Sequence, residues 1–226
     1  MSVSVWVVRA LLALALLGVG YVIVSISIGE GGPQPASIGG INEVQQLYGG
    51  LSEDAAYAGD DEAPVTVTVF NDLQCSECAA FQVESIDPLV EPYVRPGEAR
   101  LELIHLSVTQ RMLTLTALAS TAAGQQDRQW QYADLFARNF ESFGETVDEQ
   151  ELQSVADSVP QFEVPAWEAA LDDEEVRQII EADAQLAIDF ELGDEPGVVV
   201  EGPGGTEELL ASPSAEEIAA AIEAVG

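Results

Sequence analysis

The run Val65-Thr66-Val67-Thr68-Val69-Phe70, opened by Pro64 and soon followed by Cys75-Ser76-Glu77-Cys78, constrains this chain more than any other feature. β-Branched residues pack well on a pleated surface, and a run this apolar predicts a buried strand. A helix is predicted from about Ser76 through Phe81, Val83 and Ile86, with Pro88, Pro92 and Pro96 obscuring its far end. A strand feeding a helix N-terminus sets two thiols where free N–H groups and the helix dipole favour a thiolate.

Cys75 and Cys78 are the only cysteines, so their sulfurs either close a small disulfide or sit as a dithiol. Thiolate is the attacking species in disulfide exchange, which makes this a place for redox chemistry. Cys75, at the helix start, is the expected nucleophile, and Cys78, one turn in, the resolving thiol. A structural zinc site takes about four ligands; two cysteines and the single His105 do not supply them, and no metal is expected. A purely structural bridge over so short a loop adds little stability.

Charge excludes other classes of function. Against 40 acidic residues stand 7 basic ones, all arginine, for a formal charge of −33. Such a field repels phosphate backbones, excluding nucleic acid, and disfavours anionic lipid as a docking surface. Acidity of this degree also fits adaptation to high salt, where ions screen self-repulsion.

Residues Ala10 to Ile28 carry no formal charge, and at 1.5 Å per helical residue nearly match a hydrocarbon core of about 30 Å. They predict a single transmembrane anchor, longer than the apolar region of most cleaved signals, with cleavage at Ser25-Ile26-Ser27 as the alternative. Arg9 on one side and acids on the other orient it with the N-terminus cytoplasmic and the remainder extracytoplasmic. Gly31-Gly32-Pro33-Gln34-Pro35 reads as a spacer, and Ile41 to Leu51 as a short helix or strand.

Beyond the cysteines, Arg100 to Leu106 predicts a second strand parallel to the first, ending near His105, which is expected to be packed or solvated. Met112 to Ala123 predicts a helix stopped by Gly124; Trp130, Ala133, Leu135, Phe136 and Phe140 recur at helical spacing as core, and Trp167 reads as packing too. Asp148 with Glu151, and Ser214 with Glu217, form capping-box patterns, and Asp172 or Asp173 opens a long helix. Two short strands, Gly197–Glu201 and Glu207–Leu210, flank Gly202-Pro203-Gly204-Gly205. Strand, helix, strand, helical block, hairpin and helix make an α/β sandwich with an insertion.

The segment Ala63-Pro64-Val65 through Phe70-Asn71-Asp72-Leu73-Gln74-Cys75-Ser76-Glu77-Cys78-Ala79-Ala80-Phe81 resembles the active-site region of the DsbA-like branch of the thioredoxin superfamily. Ala119 to Phe136, with Trp130 and Tyr132, resembles that branch's inserted helical domain; Leu192 through Pro196 to the last helix resembles its cis-proline loop, hairpin and closing helix. The resemblance covers about residues 60–226. It implies a thioredoxin-like fold with an inserted α-helical domain, preceded here by the anchor. The organisation expected is a cytoplasmic terminus over 1–9, anchor 10–28, linker and lead-in 29–62, and catalytic domain 63–226 with the insertion at about 107–190.

The resemblance also implies exchange of disulfides with exported proteins through a redox-active Cys75–Cys78 disulfide and no other cofactor. Pro196 matches the cis-proline beside the redox pair, and Glu195 its neighbour on the substrate-binding loop. A membrane quinone-linked thiol oxidase, or a thiol reductant, is the implied redox partner. Where the family often has proline after the first cysteine stands Ser76, followed by Glu77, and Glu195 stands where Val or Thr is common. Carboxylates near the sulfurs disfavour the thiolate, which predicts a milder oxidant than the strongest members. Asp72 is placed to cap the helix start or sit near the sulfurs. The competing reading is a membrane-anchored scaffold on the same frame, its disulfide inert.

Overall fold

Strand β3 (Val65–Asn71) lies near the middle of a six-stranded sheet because both of its faces are covered. Val65, Val67 and Val69 are at most 1% exposed on one face, and Phe70 is fully buried on the other. β4 (Ala99–His105) runs parallel to it, from Val65 opposite Ala99 to Asn71 opposite His105. On the other side β5 (Gly197–Gly202) pairs antiparallel, Val67 facing Val200, and turns through Pro203 and Gly204 into β6 (Gly205–Leu209). The far edge is made by β1 (Glu53–Asp54) and β2 (Tyr57–Ala58), giving the order β1-β2-β4-β3-β5-β6. The computed structural model describes residues 37–106, 114–143, 147–192, 195–209 and 211–226.

A parallel pair needs a crossover, and here it is the helical run that starts at the cysteines. α2 (Ser76–Phe81) passes through a π-helical turn (Gln82–Ile86), α3 (Asp87–Leu89) and a second π-turn (Val90–Val94). Pro88 and Pro92 each remove an i→i−4 rung and crowd the preceding turn, and wider i→i−5 turns absorb that conflict without ending the helix. The far end obscured by prolines therefore reaches Val94.

The lead-in is part of the domain. α1 (Ile41–Tyr48) buries Val44 and Tyr48, and Tyr48 stacks on Trp130 with ring centroids 6.2 Å apart. With β1 and β2 in the sheet as well, the domain begins well before residue 63; a helix this short gains its stability from that packing rather than from propensity. Gly39 donates to Asn139 Oδ1 at 2.8 Å and accepts from Asn139 Nδ2 at 3.0 Å, fastening the chain ahead of α1.

Between β4 and β5 lie the inserted helices α4 (Leu115–Gly124), α5 (Gln129–Asn139), α6 (Glu149–Ala156), α7 (Val164–Ala170) and α8 (Glu174–Asp189). Asp148 caps α6 in a full capping box with Glu151, and Asp173 caps α8. Trp130, Tyr132, Leu135 and Phe136 on α5 are at most 1% exposed, as their spacing predicted. Burying such side chains stabilises by roughly 1.5–3 kcal/mol each. α9 (Ala215–Val225), boxed by Ser214 and Glu217, closes the domain. The second sheet face packs Phe70, Ile104 and Val199 against Ala187 of α8 and Leu192.

Among the described residues no helix is long and apolar enough to cross a membrane. The anchor expected over 10–28 lies outside them, as does the stretch before α4 that includes Met112.

Candidate redox site

Cys75 is the N-cap of α2, extended at φ −118°, ψ 139°, and its Sγ accepts the Cys78 backbone N–H at 3.0 Å. The Cys75 carbonyl accepts from Ala79 N, so the helix starts at this residue. The two sulfurs are bonded, S–S 2.05 Å, with Cα atoms 5.2 Å apart. Their surroundings differ: Cys75 is half-buried, while Cys78 is 0% exposed. An N–H aimed at Sγ at a helix N-terminus stabilises negative charge there, so Cys75 is built to leave or attack as thiolate.

The approach to the cysteines is shaped by short-range bonds. Asp72 Oδ1 accepts from Gln74 N at 2.9 Å, an Asx-type turn that carries the strand end up to the helix start. Leu73 and Phe81, 3% and 4% exposed, anchor the turn and the helix in the core. Asn71, the last residue of β3 and 1% exposed, donates from Nδ2 to the Cys78 carbonyl at 3.2 Å.

Glu77 is exposed and accepts a hydrogen bond from Ser212 Oγ at 2.9 Å, while Ser212 N donates to the Pro196 carbonyl at 2.7 Å. Thus the Pro196 loop, the turn after β6 and the CxxC helix are linked in sequence. Ala211 and Ser212 both have positive φ, 67° and 55°, a conformation that costs L residues energy and recurs at functional sites. Pro196 is buried and Glu195 exposed. No peptide bond among the described residues is cis, so the Glu195–Pro196 bond is trans, correcting the cis expectation. Trans is favoured by only about 0.5–1 kcal/mol at X–Pro, so sequence position does not decide the isomer.

Ser76, exposed, lines an open groove with Ala79, Ala80, Val83, Arg138 and Phe140. His105 is packed: 1% exposed, with ring Nε2 3.2 Å from Gln129 Nε2 and its backbone N–H donating to Asp183 Oδ2 at 3.1 Å. Burial lowers the imidazole to about 4, so it is neutral at ordinary pH. Trp167 donates to the Ala119 carbonyl at 2.8 Å and is core, as expected. Sequence reasoning passed over Asn71, although its place on the odd-numbered face of β3 marks it as buried; Ser212 carries no comparable signal.

Below the cysteines the crossover helix meets α5 through a buried charge cluster. Arg138 Nε lies 3.1 Å from Asp134, and its Nη2 pairs with Asp87; Tyr48 Oη and Gln82 Nε2 reach Asp87 Oδ1 at 3.4 and 3.3 Å. Burial raises both carboxyls, and the Asp134 charge raises Asp87 further, while the Arg138 charge opposes both rises and a hydrogen bond with Asp87 opposes that of Asp134.

Disulfide exchange needs no group beyond the two sulfurs; among the described residues no cluster of three or more metal-binding side chains occurs. A bonded CxxC at the start of the crossover helix, beside the central strand of such a sheet, defines a thiol:disulfide oxidoreductase of thioredoxin-like fold. The chain belongs to the thioredoxin family, whose model matches residues 52–224. It is similar to the probable disulfide bond formation protein D of Bacillus anthracis, 25% identical over 169 residues that cover 73% of this chain and 75% of that one. The Bacillus cereus counterpart is likewise 25% identical, over 73% of this chain and 76% of its own. Oxidised BdbD from Bacillus subtilis shares the fold at TM-score 0.61 and 22% identity, over 76% of this chain and 94% of that structure. Wolbachia pipientis α-DsbA1 does so at TM-score 0.60 and 17% identity, over 75% and 89%.

Proposed function

We propose that this protein introduces disulfides into exported proteins, with Cys75 as the attacked and attacking sulfur and Cys78 as the resolving thiol. The observation that carries the reading is the asymmetry of the pair: Cys75 half-exposed with an N–H on its sulfur, Cys78 fully buried. A client thiolate attacks Cys75 Sγ, the S–S bond breaks, and Cys78 leaves and takes a proton. The second client thiol, as thiolate, attacks the client sulfur of the mixed disulfide and expels Cys75 as thiolate. The client is oxidised by two electrons and the protein reduced to its dithiol.

Support for the direction comes from the disulfide-forming names of the relatives. Residues 10–28 hold the domain at the outer face of a cell membrane, N-terminus inside, where a membrane quinone-linked thiol oxidase restores the disulfide at high effective concentration. Pro196 and Glu195 border the client-binding loop. Glu77 and Ser76 temper the driving force, because a carboxylate near the sulfurs disfavours the thiolate.

Oxidative refolding of a reduced protein is the test. Wild type accelerates it, and Cys75→Ser and Cys78→Ser, neither of which can hold the oxidising disulfide, abolish the effect. Thiol trapping in cells fixes direction: a mostly disulfide pair is expected, and a mostly dithiol pair would assign a reductase or isomerase fed by a thiol reductant.

A further inference from the structure

Asn71 carries an amide of which one half is used. Nδ2 donates to the Cys78 carbonyl at 3.2 Å, whereas Oδ1, equally buried, has no hydrogen-bond partner among the described residues. Because the Cys78 carbonyl only accepts, this contact fixes which end of the amide is nitrogen and which is oxygen. Buried polar atoms without partners are rare, and each calls for an explanation.

The redox reaction supplies one. In the disulfide form Cys78 has no proton to donate. When the S–S bond opens, Cys78 becomes a thiol within a residue that is 0% exposed, so water does not reach the new S–H. Cys75 Sγ already accepts the Cys78 N–H. His105, next to Asn71 across the parallel pair, has its Nε2 against Gln129. The amide pinned to the Cys78 peptide is left with an open acceptor.

We infer that Asn71 Oδ1 is the hydrogen-bond acceptor of the Cys78 thiol in the reduced protein, and that Asn71 thereby sets the balance between dithiol and disulfide. The proton is the one Cys78 takes when its sulfur leaves; nothing else changes bond. The Nδ2 contact is present in both redox states, whereas the Oδ1 contact forms in the reduced state alone. Asn71 therefore favours the reduced form, and by that route makes the disulfide the stronger oxidant. The inference rests on thiol–disulfide exchange at Cys75–Cys78 and not on its direction in the cell.

The test is equilibration of the full-length protein with glutathione buffers, with the dithiol fraction read by alkylation. Asn71→Leu removes both contacts at nearly the same size, and Asn71→Ala serves as a second apolar variant should Leu misfold. Both are expected to shift the equilibrium about threefold to tenfold toward the disulfide, the range a single net hydrogen bond provides. Asn71→Asp keeps an oxygen in place and is expected to hold the wild-type equilibrium or move it toward the dithiol. Apolar and Asp variants shifting together would mean that only the Cys78 carbonyl contact matters, and folded apolar variants with an unmoved equilibrium would place the thiol proton on another acceptor; either overturns the inference. A wild-type pair that does not equilibrate with glutathione at all would instead sink the exchange reading itself.

Discussion

Ser212 Oγ donates to Glu77 Oε1 at 2.9 Å across 135 residues of sequence, tying the turn after the last strand to the inside of the CxxC motif. The bond holds a carboxylate between the two cysteines at the mouth of the site. Replacing Glu77 by Ala removes that charge, which favours the Cys75 thiolate and hence the dithiol. The glutathione equilibrium should move toward the dithiol by about twofold to fivefold, given solvent screening of an exposed group. Ser212→Ala should move it less than about twofold, because the charge stays. Glu195→Val tests the second carboxylate in the same titration, and if neither carboxylate variant shifts the potential the tempering role fails.

Stability should fall as pH rises above the ordinary carboxyl range. Asp87 is raised by burial and by Asp134, and Asp134 by burial, with Tyr48, Gln82 and Arg138 around them; Glu53 and Asp183 are raised by burial to about 7. A raised acid binds more protons folded than unfolded, so its contribution is full below about 4 and lost through its folded value. His105, lowered to about 4, acts oppositely, its contribution present above about 6.5 and lost as pH falls toward 4. Four such acids outweigh one histidine, so melting temperature should peak near about pH 4 and decline toward pH 8. Asp87→Asn should flatten the decline by about one proton in the pH slope, measured by melting across buffers.

Gly40→Ala should destabilise by about 1–3 kcal/mol in chemical denaturation. Gly40 has φ 80°, and a Cβ there would lie 2.8 Å from Arg138 Cδ. Arg138 has little freedom to give way, since Asp87 and Asp134 hold its guanidinium. An unchanged midpoint would show that the lead-in does not contribute to the fold as its buried Tyr48 implies.

Salt should stabilise the domain. With a formal charge of −33, self-repulsion is large at low ionic strength and is screened within about 3 Å at 1 M. A melting temperature that climbs from dilute buffer to about 2 M potassium chloride is expected. A flat curve would remove the high-salt reading.

Legibility in the sequence followed the range of the forces involved. Period-two burial along Val65, Val67 and Val69 and the capping residues Asp148, Asp173 and Ser214 act over a few residues, and the elements formed where those signals stood. The same parity places Asn71 on the buried face, a signal present but masked by its nearness to a turn. α1 was ambiguous because flanking glycines read as spacer, while its anchor, Trp130, is supplied from far along the chain. Ser212 had no local mark: its position depends on two left-handed residues and a partner on another element. The trans isomer at Pro196 reflects a local energy difference too small to be read.

The sheet's last strand has one further consequence. Among the described residues β6 pairs with β5 alone, which leaves its outer side an edge, and it carries the exposed Glu207 and Glu208. Two copies laid edge to edge would bring four carboxylates together, which discourages that pairing. For an oxidoreductase whose proposed clients arrive unfolded, with strands of their own still seeking partners, such an edge limits adhesion. An encounter is then more readily decided at the sulfur than along the backbone.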